Sequence, residues 1–199
     1  MASSLKKNRW EDHYSRKAKK DKFAARSVYK LEEIQKKHGI IKKGDKIVDL
    51  GCAPGSWLQY AAGLTGNSGQ VVGIDIKPMS IQMPANARYV NADILNMDEA
   101  VLSSIGDNFN LVMSDMAPAT TGQKYVDAAR SFELCRVALS LAEKLLKPGG
   151  AFICKIFQGE SFQDFSESVK KSFKQHKIFK PQSSRKASKE IYIIGIGKK

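Results

Sequence analysis

The stretch DKIVDLGCAPGSWLQYAAGL, residues 45–64, joins a strand to a helix through a short glycine-rich turn. Its first part, DKIVDL, is an apolar, β-branched run that is typical of a buried strand. The turn contains two glycines and a proline, and helical spacing of apolar residues follows it. A strand followed directly by a helix is part of a β–α–β unit, so this stretch predicts an α/β fold.

The same alternation continues along the chain. Four more strands are predicted, with the sequences QVVGIDI, ARYVNADI, FNLVMSDM and GAFICKIF. Helices are predicted at residues 27–37, 125–146 and 162–173. HKIFK and EIYIIGIG follow with no helical pattern between them, which indicates an antiparallel hairpin at the sheet edge. The pattern therefore predicts a mostly parallel sheet with helices on both faces.

No repeat or interdomain linker interrupts this pattern. We expect a single domain over residues 23–199, preceded by a basic arm over residues 1–22. The arm carries eight Lys or Arg residues together with Trp10 and Tyr14. Aromatic side chains among positive charges suit a segment that stacks on unpaired bases. A solvated tail explains the charge run equally well, so the arm has two open interpretations.

The charge of the whole chain is strongly positive. Its 199 residues include 33 Lys or Arg against 20 Asp or Glu, which gives a net charge of +13 and a pI near 9.6. Such an excess favours a polyanionic partner, because each neutralised phosphate releases counterions. A membrane surface is the alternative, but no Lys-rich amphipathic helix with a broad apolar face is present. We therefore expect a nucleic acid as the partner.

The sequence gives no signal for an exported, membrane-bound or metal-binding protein. Cys52, Cys135 and Cys154 are widely spaced and match neither a disulfide framework nor a zinc site. The histidines are scattered, so no metal is expected. The first residues lack the apolar core of a signal peptide, and no run is long enough to span a membrane. We expect a cytoplasmic protein and, without a long exposed heptad pattern, a monomer.

The glycine-rich turn is the first candidate for ligand binding, because ligands of open α/β sheets lie beyond the carboxyl ends of the strands. Gly51 and Gly55 allow a sharp turn and a close approach of a ligand to the backbone. The dinucleotide motif G-x-G-x-x-G is absent, and so is the G-K-[ST] of a phosphate-binding P-loop.

Two carboxylates follow the next two predicted strands. Asp75 can accept hydrogen bonds from a ribose diol, and Asp93 lies within reach of an adenine edge. Together with the glycine-rich turn they suit an adenosine-bearing cofactor without a phosphate cradle, of which S-adenosylmethionine is the obvious member. NAD stays an alternative, because an acidic residue about 20 positions past the turn also matches its ribose contact.

Lys155 lies inside the apolar strand GAFICKIF, and a buried lysine needs a partner or loses its proton. Asp115 follows the strand FNLVMS and is expected at the same edge of the sheet. Glu190 begins the last strand, and an antiparallel strand also starts at that edge. Lys30, on the first predicted helix, is the remaining candidate. The residues alone do not establish that the four meet.

The motifs that contain these four residues resemble the FtsJ/RrmJ family of RNA ribose 2′-O-methyltransferases. They are ARSVYKLEEI, SDMAP, CKIFQG and SKEIYIIG. VDLGCAPGSW resembles the cofactor loop of the family, with Ser56 where a second glycine is common. The resemblance spans residues 23–197 and implies a seven-stranded Rossmann-like sheet whose last strand is antiparallel. It also implies the compact bacterial form, which acts on large-subunit ribosomal RNA.

The resemblance implies roles for individual residues. S-adenosylmethionine is the implied methyl donor, and the implied cofactor-binding residues are Gly51, Gly55, Trp57, Asp75, Asp93 and Asp115. The implied catalytic residues are Lys30, Asp115, Lys155 and Glu190. We expect Lys155 to be the base or the group that orients the ribose hydroxyl, with Lys30 and Asp115 setting its charge and direction.

The expected reaction is 2′-O-methylation of a ribose, on a uridine, in the 23S ribosomal RNA of the assembled large subunit. A transfer-RNA 2′-O-methyltransferase, a non-catalytic RNA-binding ribosome-assembly factor and an NAD-dependent oxidoreductase are the alternatives. The positive charge and the missing dinucleotide motif disfavour the oxidoreductase. The complete set of four polar residues disfavours the assembly factor, because a protein that only binds RNA has no use for a lysine in that strand.

Overall fold

The computed structural model describes residues 13–118, 121–185 and 187–199. Its helices are α1 (His13–Lys20), α2 (Val28–His38), α3 (Ser56–Thr65), α4 (Glu99–Ile105), α5 (Lys124–Leu145) and α6 (Phe162–Ser172), with a 3₁₀ turn at Ile94–Asn96. Its strands are β1 (Lys46–Leu50), β2 (Gln70–Asp75), β3 (Ala87–Asn91), β4 (Phe109–Ser114), β5 (Leu146–Phe157), β6 (Phe173–Phe179) and β7 (Glu190–Lys198).

The seven strands form one sheet in the order β3-β2-β1-β4-β5-β7-β6. The strands from β3 to β5 in this order run parallel, whereas β7 runs antiparallel to both β5 and β6. This confirms the predicted parallel sheet with an antiparallel last strand. The chain order reverses between β1 and β4, which is the position where open α/β sheets bind ligands.

Helices cover both faces of the sheet, each over its own apolar core. On one face, α2 and α3 pack through residues such as Leu31 and Leu58. On the other face, α4, α5 and α6 pack through residues such as Ile105, Ala138 and Phe165. Each fully buried aliphatic or aromatic side chain contributes roughly 1.5–3 kcal/mol, so the two cores hold the strands firmly in register.

Helix α2 follows the predicted pattern and carries the first site residue. Leu31 and Ile34 are fully buried against the sheet, as their helical spacing predicts. Gly39 ends the helix with φ of +58°, a left-handed conformation that glycine adopts without strain, and its N–H donates to the carbonyl of Gln35. Lys30 directly precedes this apolar pair and is buried as well.

Helix α4 and the start of strand β5 differ from the prediction. Helix α4 was not predicted, because its seven residues are too few to show a clear apolar periodicity. Its start is marked only by the capping carboxylate of Asp98, which accepts a hydrogen bond from Val101 N at 2.8 Å. Strand β5 begins at Leu146 rather than at residue 150, since Leu146 pairs with Phe109 before an irregularity shifts the register. The Lys-Pro-Gly-Gly signal thus ends α5 correctly but lies inside the strand.

Residues 13–22 of the predicted arm contain α1, which packs on the domain. Ala18 is buried against Val28 and Tyr29, and the ring of Tyr14 lies 5.5 Å from the ring of Tyr29. Trp10 and the rest of the arm fall outside the described residues. The boundary at residue 22 and the RNA contact of the arm stay predictions.

Candidate active site

The site forms where three strands end side by side, next to the last residues of β5. Leu50 pairs with Ile74 and with Ser114, and Ser114 pairs with Cys154, so these four residues lie in one row across the sheet. The next residue on each strand stands at what we call the carboxyl edge of the sheet. These next residues are Gly51, Asp75, Asp115 and Lys155. The register therefore brings three predicted polar residues and the first glycine of the turn to one edge.

At the carboxyl edge, Lys155 forms an ion pair with Asp115. Its Nζ lies 3.0 Å from Asp115 Oδ1, and it also donates a hydrogen bond to the main-chain carbonyl of Asp115. The Lys155 side chain is 7% exposed and that of Asp115 is 18% exposed. A buried ammonium is tolerated when it is paired and hydrogen-bonded, and this pair meets both conditions.

The other two predicted residues form a second ion pair. Lys30 Nζ, from α2, lies 2.8 Å from Oε1 of Glu190, at the start of β7. Their side chains are only 11% and 12% exposed. Glu190 pairs in the strand register with Phe157, two residues beyond Lys155, so the second pair lies close to the first. The structure thus brings all four predicted residues together as two ion pairs.

Tyr192 extends the first pair and was missed by the sequence analysis. It stands opposite Lys155 in the register of β5 and β7, and its hydroxyl donates to Asp115 Oδ1 at 2.6 Å. Burial, followed by the nearby Asp115 carboxylate, raises the pKa of Tyr192 well above its ordinary value, so the phenol stays a neutral donor. The signal was available in the sequence: Tyr192 lies two residues after Glu190, on the same face of a strand.

A cavity of about 390 Å³ opens beside the Lys155–Asp115 pair. Gly51, Asp75, Asp93 and Asp115, all predicted as cofactor-binding residues, line it together with apolar side chains such as Met116. We call it the acidic cavity. The other two predicted cofactor residues, Gly55 and Trp57, are not among the residues that line it.

At Gly51 of the turn the acidic cavity leaves no room for a side chain. Gly51 has φ of +75°, and a Cβ on it would lie 2.3 Å from Cγ of Met116. Asp75 holds the turn in place by accepting hydrogen bonds from Ala53 N at 3.0 Å and Lys77 N at 2.9 Å. Asp93 accepts from the backbone of Leu95 at 3.0 Å. Both carboxylates are thus oriented by main-chain donors.

Gly55 and Trp57 have structural contacts instead. A Cβ on Gly55, whose φ is +117°, would lie 2.6 Å from Cδ1 of Ile81, so close packing requires glycine there. The indole of Trp57 is buried, donates to the carbonyl of Ser27 at 2.9 Å and stacks on Tyr192. It therefore supports the segment that leads into α2. The predicted cofactor contacts of both residues stay predictions.

Asp49 is a second residue that the sequence analysis missed. It lies on β1 below the glycine-rich turn, fully buried, and its Oδ2 has no hydrogen-bond partner among the described residues. Burial is the main cause that raises the pKa of Asp49 well above its ordinary value, and Asp115 and Asp75 raise it further. A carboxyl group in this position is stabilised in its ionised form by any positive charge that binds nearby.

Metal sites and membrane-spanning helices were also sought among the described residues. Among residues 13–118, 121–185 and 187–199, no group of three or more His, Cys, Asp or Glu side chains could hold a metal ion. Within the same ranges, no helix combines the length and the apolar character needed to cross a bilayer.

The sequence profile of the FtsJ-like methyltransferases matches residues 23–198. The chain belongs to this family. The match covers every residue of the two ion pairs and of the acidic cavity, and an FtsJ-like methyltransferase is an enzyme. The acidic cavity and the two ion pairs therefore belong to a methyltransferase, and the oxidoreductase alternative is wrong.

Relatives of this FtsJ-like methyltransferase share most of its length. A ribosomal RNA large subunit methyltransferase E of Desulforapulum autotrophicum is 58% identical over 98% of this chain and 96% of its own. A protein of the same name from Desulfatibacillum aliphaticivorans is 54% identical over 97% of this chain and 93% of its own.

A solved structure supports the fold. The crystal structure of a Plasmodium falciparum protein, described as a ribosomal RNA methyltransferase, superposes with a TM-score of 0.78 at 28% identity. The superposition covers 88% of this chain and 98% of that one. The predicted Rossmann-like methyltransferase fold is confirmed.

Proposed function

We propose that the chain transfers a methyl group from S-adenosylmethionine to a ribose 2′-hydroxyl of large-subunit ribosomal RNA. The observation that carries the proposal is the buried Lys155–Asp115 pair at the rim of the acidic cavity. A lysine amine held beside a cofactor-sized cavity suits a reaction that deprotonates a hydroxyl. The names of the bacterial relatives indicate the RNA, and the net charge of +13 agrees with a polyanionic substrate.

The acidic cavity fits S-adenosylmethionine in two respects. Its three carboxylates offer acceptors for hydroxyl and amine groups, and Leu95 and Met116 offer apolar surface for a flat ring. Asp49 does not line the cavity but lies two residues before Gly51 on β1, and its unpartnered Oδ2 suits a positive charge bound nearby. When bound, S-adenosylmethionine supplies a methyl group activated by its positively charged sulfur. Asp75, Asp93 and Asp115 would hold it.

Lys155 is the group that orients and deprotonates the acceptor hydroxyl. A ribose hydroxyl is a weak nucleophile, so it has to be held in line and relieved of its proton. The ammonium form of a lysine holds a hydroxyl oxygen, and the neutral form accepts the proton. Asp115, through its side chain and its carbonyl, fixes the direction of the Lys155 amine, and Tyr192 in turn fixes the Asp115 carboxylate.

The Lys30–Glu190 pair completes the site. Lys30 places a second positive charge near the acceptor, and Glu190 holds that charge at 2.8 Å. Asp115 and Tyr192 thus position the Lys155 amine, and the Lys30–Glu190 pair adds a second donor and acceptor beside it.

The reaction is tested with labelled S-adenosylmethionine and large ribosomal subunits that lack their natural 2′-O-methyl groups. Deproteinised 23S RNA and transfer RNA are assayed in parallel, and the products are digested to nucleosides. We expect label in a 2′-O-methyl nucleoside from the large subunit, and identification of that nucleoside tests the expected uridine. Subunits that already carry the modification are the control and should accept no label.

Other outcomes would change the proposal in distinct ways. Label in transfer RNA alone would keep the chemistry and replace the substrate. Label on a base would contradict the ribose acceptor. Intact binding of S-adenosylmethionine with no label in any RNA would leave a non-catalytic RNA-binding factor.

Asp49 makes cofactor binding depend on pH. Because burial raises its pKa, part of the free protein carries a neutral carboxyl group above about pH 4, where an ordinary aspartate is ionised. A bound cation lowers that pKa, so binding releases a proton and the affinity for S-adenosylmethionine rises as pH rises. Calorimetric titrations in two buffers with different ionisation enthalpies measure the proton count directly.

Two controls assign this effect to Asp49. Asp49→Asn keeps the shape and cannot ionise, so it should bind with less proton release and a flatter dependence on pH. S-adenosylhomocysteine lacks the sulfonium charge and should release fewer protons than S-adenosylmethionine. Equal proton release by wild type and Asp49→Asn would show that another group titrates.

A further inference from the structure

A second cavity, of about 280 Å³, lies at the carboxyl end of β5. Its walls are the first two turns of α5, the connection from β5 to α6, and the residue that precedes β7. We call it the aromatic cavity, because Tyr125, Phe132, Phe157 and Phe162 line it. Among the described residues that line it, only Glu160 and Lys189 carry charged side chains. No step of the proposed reaction uses it.

Helix α5 presents an apolar stripe to the aromatic cavity. Tyr125, Ala128, Ala129 and Phe132 follow the helical spacing of one face, and all four line the cavity. Phe132 packs edge-on against Phe165 of α6 and closes the floor. Tyr125, at the mouth, is 82% exposed. A large aromatic side chain that extends the wall of a cavity into solvent indicates a surface that binds a partner.

The aromatic cavity is built from the same strand ends as the ion pairs. Phe157 follows Lys155 by two residues, about 7 Å along a strand. Lys189 directly precedes Glu190, and its carbonyl accepts a hydrogen bond from Gln158 N at 3.0 Å. A group bound in the cavity therefore lies near the carboxyl end of β5, close to the residues that follow Lys155 in the chain.

We propose that the aromatic cavity binds an unpaired nucleobase of the RNA segment that carries the acceptor ribose, with Tyr125 stacked on the base. This assignment rests on the proposed function. Its volume is near the small end of ligand pockets, which suits one ring system rather than a peptide. Gln158 offers both a donor and an acceptor to a base edge, and Lys189 offers a cation to the adjoining phosphate.

A splayed base is the chemistry that this lining recognises best. Proteins that read single-stranded RNA stack unpaired bases on aromatic side chains and contact the base edges with a few polar groups. Removing the base from its helix also exposes the ribose beside it. The cavity thus anchors the acceptor segment, whereas the ion pairs act on the ribose itself.

The test is Tyr125→Ala, assayed on large ribosomal subunits that lack 2′-O-methyl groups. Loss of one stacked base weakens binding by about 5- to 150-fold, so KM should rise by that factor while kcat changes little. Tyr125→Phe keeps the ring and should behave as wild type. Ile178→Ala removes another exposed apolar side chain, 52% exposed on β6, and should leave KM unchanged.

A second variant blocks the cavity instead of opening it. Ala129 is exposed on the wall of the aromatic cavity, so Ala129→Trp fills the space without disturbing the core. It should raise KM as Tyr125→Ala does. Wild-type KM in both variants would overturn the proposal, and so would an equal loss in Tyr125→Phe and Tyr125→Ala, because that pattern indicates a role of the hydroxyl.

Equilibrium binding separates this inference from the proposed reaction. Binding of 23S ribosomal RNA is measured without cofactor, where no methyl transfer is needed. Tyr125→Ala should raise Kd by the same factor with an unchanged slope against salt, because stacking involves no phosphate. Wild-type affinity in the variant would overturn the base site even if methyl transfer is observed. Absence of transfer with a raised Kd would overturn only the proposed reaction.

Discussion

Replacing Lys155 by methionine is expected to lower kcat for methyl transfer by about 10²- to 10⁴-fold, the range that one group in proton transfer contributes. Methionine keeps the length and the apolar stem of the buried side chain but cannot hold or deprotonate a hydroxyl. The affinity for S-adenosylmethionine should change little, because the Lys155 side chain is not part of the acidic cavity. Single-turnover rates on large ribosomal subunits and calorimetric binding of the cofactor measure the two quantities.

Lys155→Arg separates a base from a fixed positive charge. Arginine supplies the cation and hydrogen-bond donors but does not lose its proton in proteins. If Lys155 accepts the proton, the arginine variant should be as impaired as the methionine variant. An active arginine variant would contradict the base and leave an orienting cation. So would a wild-type rate that is flat from about pH 6 to 10, because the neutral fraction of a lysine rises across that range.

The position of Lys155 could be predicted from the sequence because it depends on local periodicity. An apolar run bounded by turn residues indicates a strand, and parallel strands deliver their ends to one edge of a sheet. This reasoning placed Asp75, Asp115 and Lys155 at the same edge, and the register row through Ser114 confirms it.

The pairing of the charges could not be predicted in the same way. Lys155 bonds to Asp115 while Lys30 bonds to Glu190, and this choice depends on the registers of β5 with β4 and with β7. Register over long sequence separation is set by packing of whole faces rather than by local pattern. The resemblance to a family identified the four residues but did not indicate which lysine pairs with which carboxylate.

Two missed residues illustrate the same limit. Asp49 lies within an apolar stretch, and its sequence context predicts only that it belongs to strand β1. That its Oδ2 lacks a hydrogen-bond partner depends on the residues that cover it in the folded structure. Tyr192 counted as one more apolar strand residue, yet its hydroxyl reaches Asp115 across the sheet. Burial of a polar atom is a property of packing, so a strand pattern predicts the element and leaves the contact unspecified.

Breaking the Lys30–Glu190 pair should have the largest effect on stability. Glu190→Leu leaves the Lys30 ammonium nearly buried without its carboxylate, and Lys30→Met leaves the Glu190 carboxylate without its cation. Removing one partner of a buried pair destabilises by roughly 3–5 kcal/mol. Since the free energy of unfolding of a domain is about 5–15 kcal/mol, each single variant should lose a large fraction of it. Urea unfolding of each variant measures the loss.

The double variant Lys30→Met/Glu190→Leu should recover that stability, because an apolar pair of similar volume carries no unpaired charge and is often neutral or stabilising. The surface pair Arg136–Glu133, whose side chains are 62% and 56% exposed, is the matched control. A double-mutant cycle on this pair should give an interaction energy of no more than about 1 kcal/mol. Additive losses at Lys30 and Glu190 would show that the two charges do not depend on each other. A double variant that folds as stably as wild type but transfers no methyl group would show that this pair is kept for the reaction.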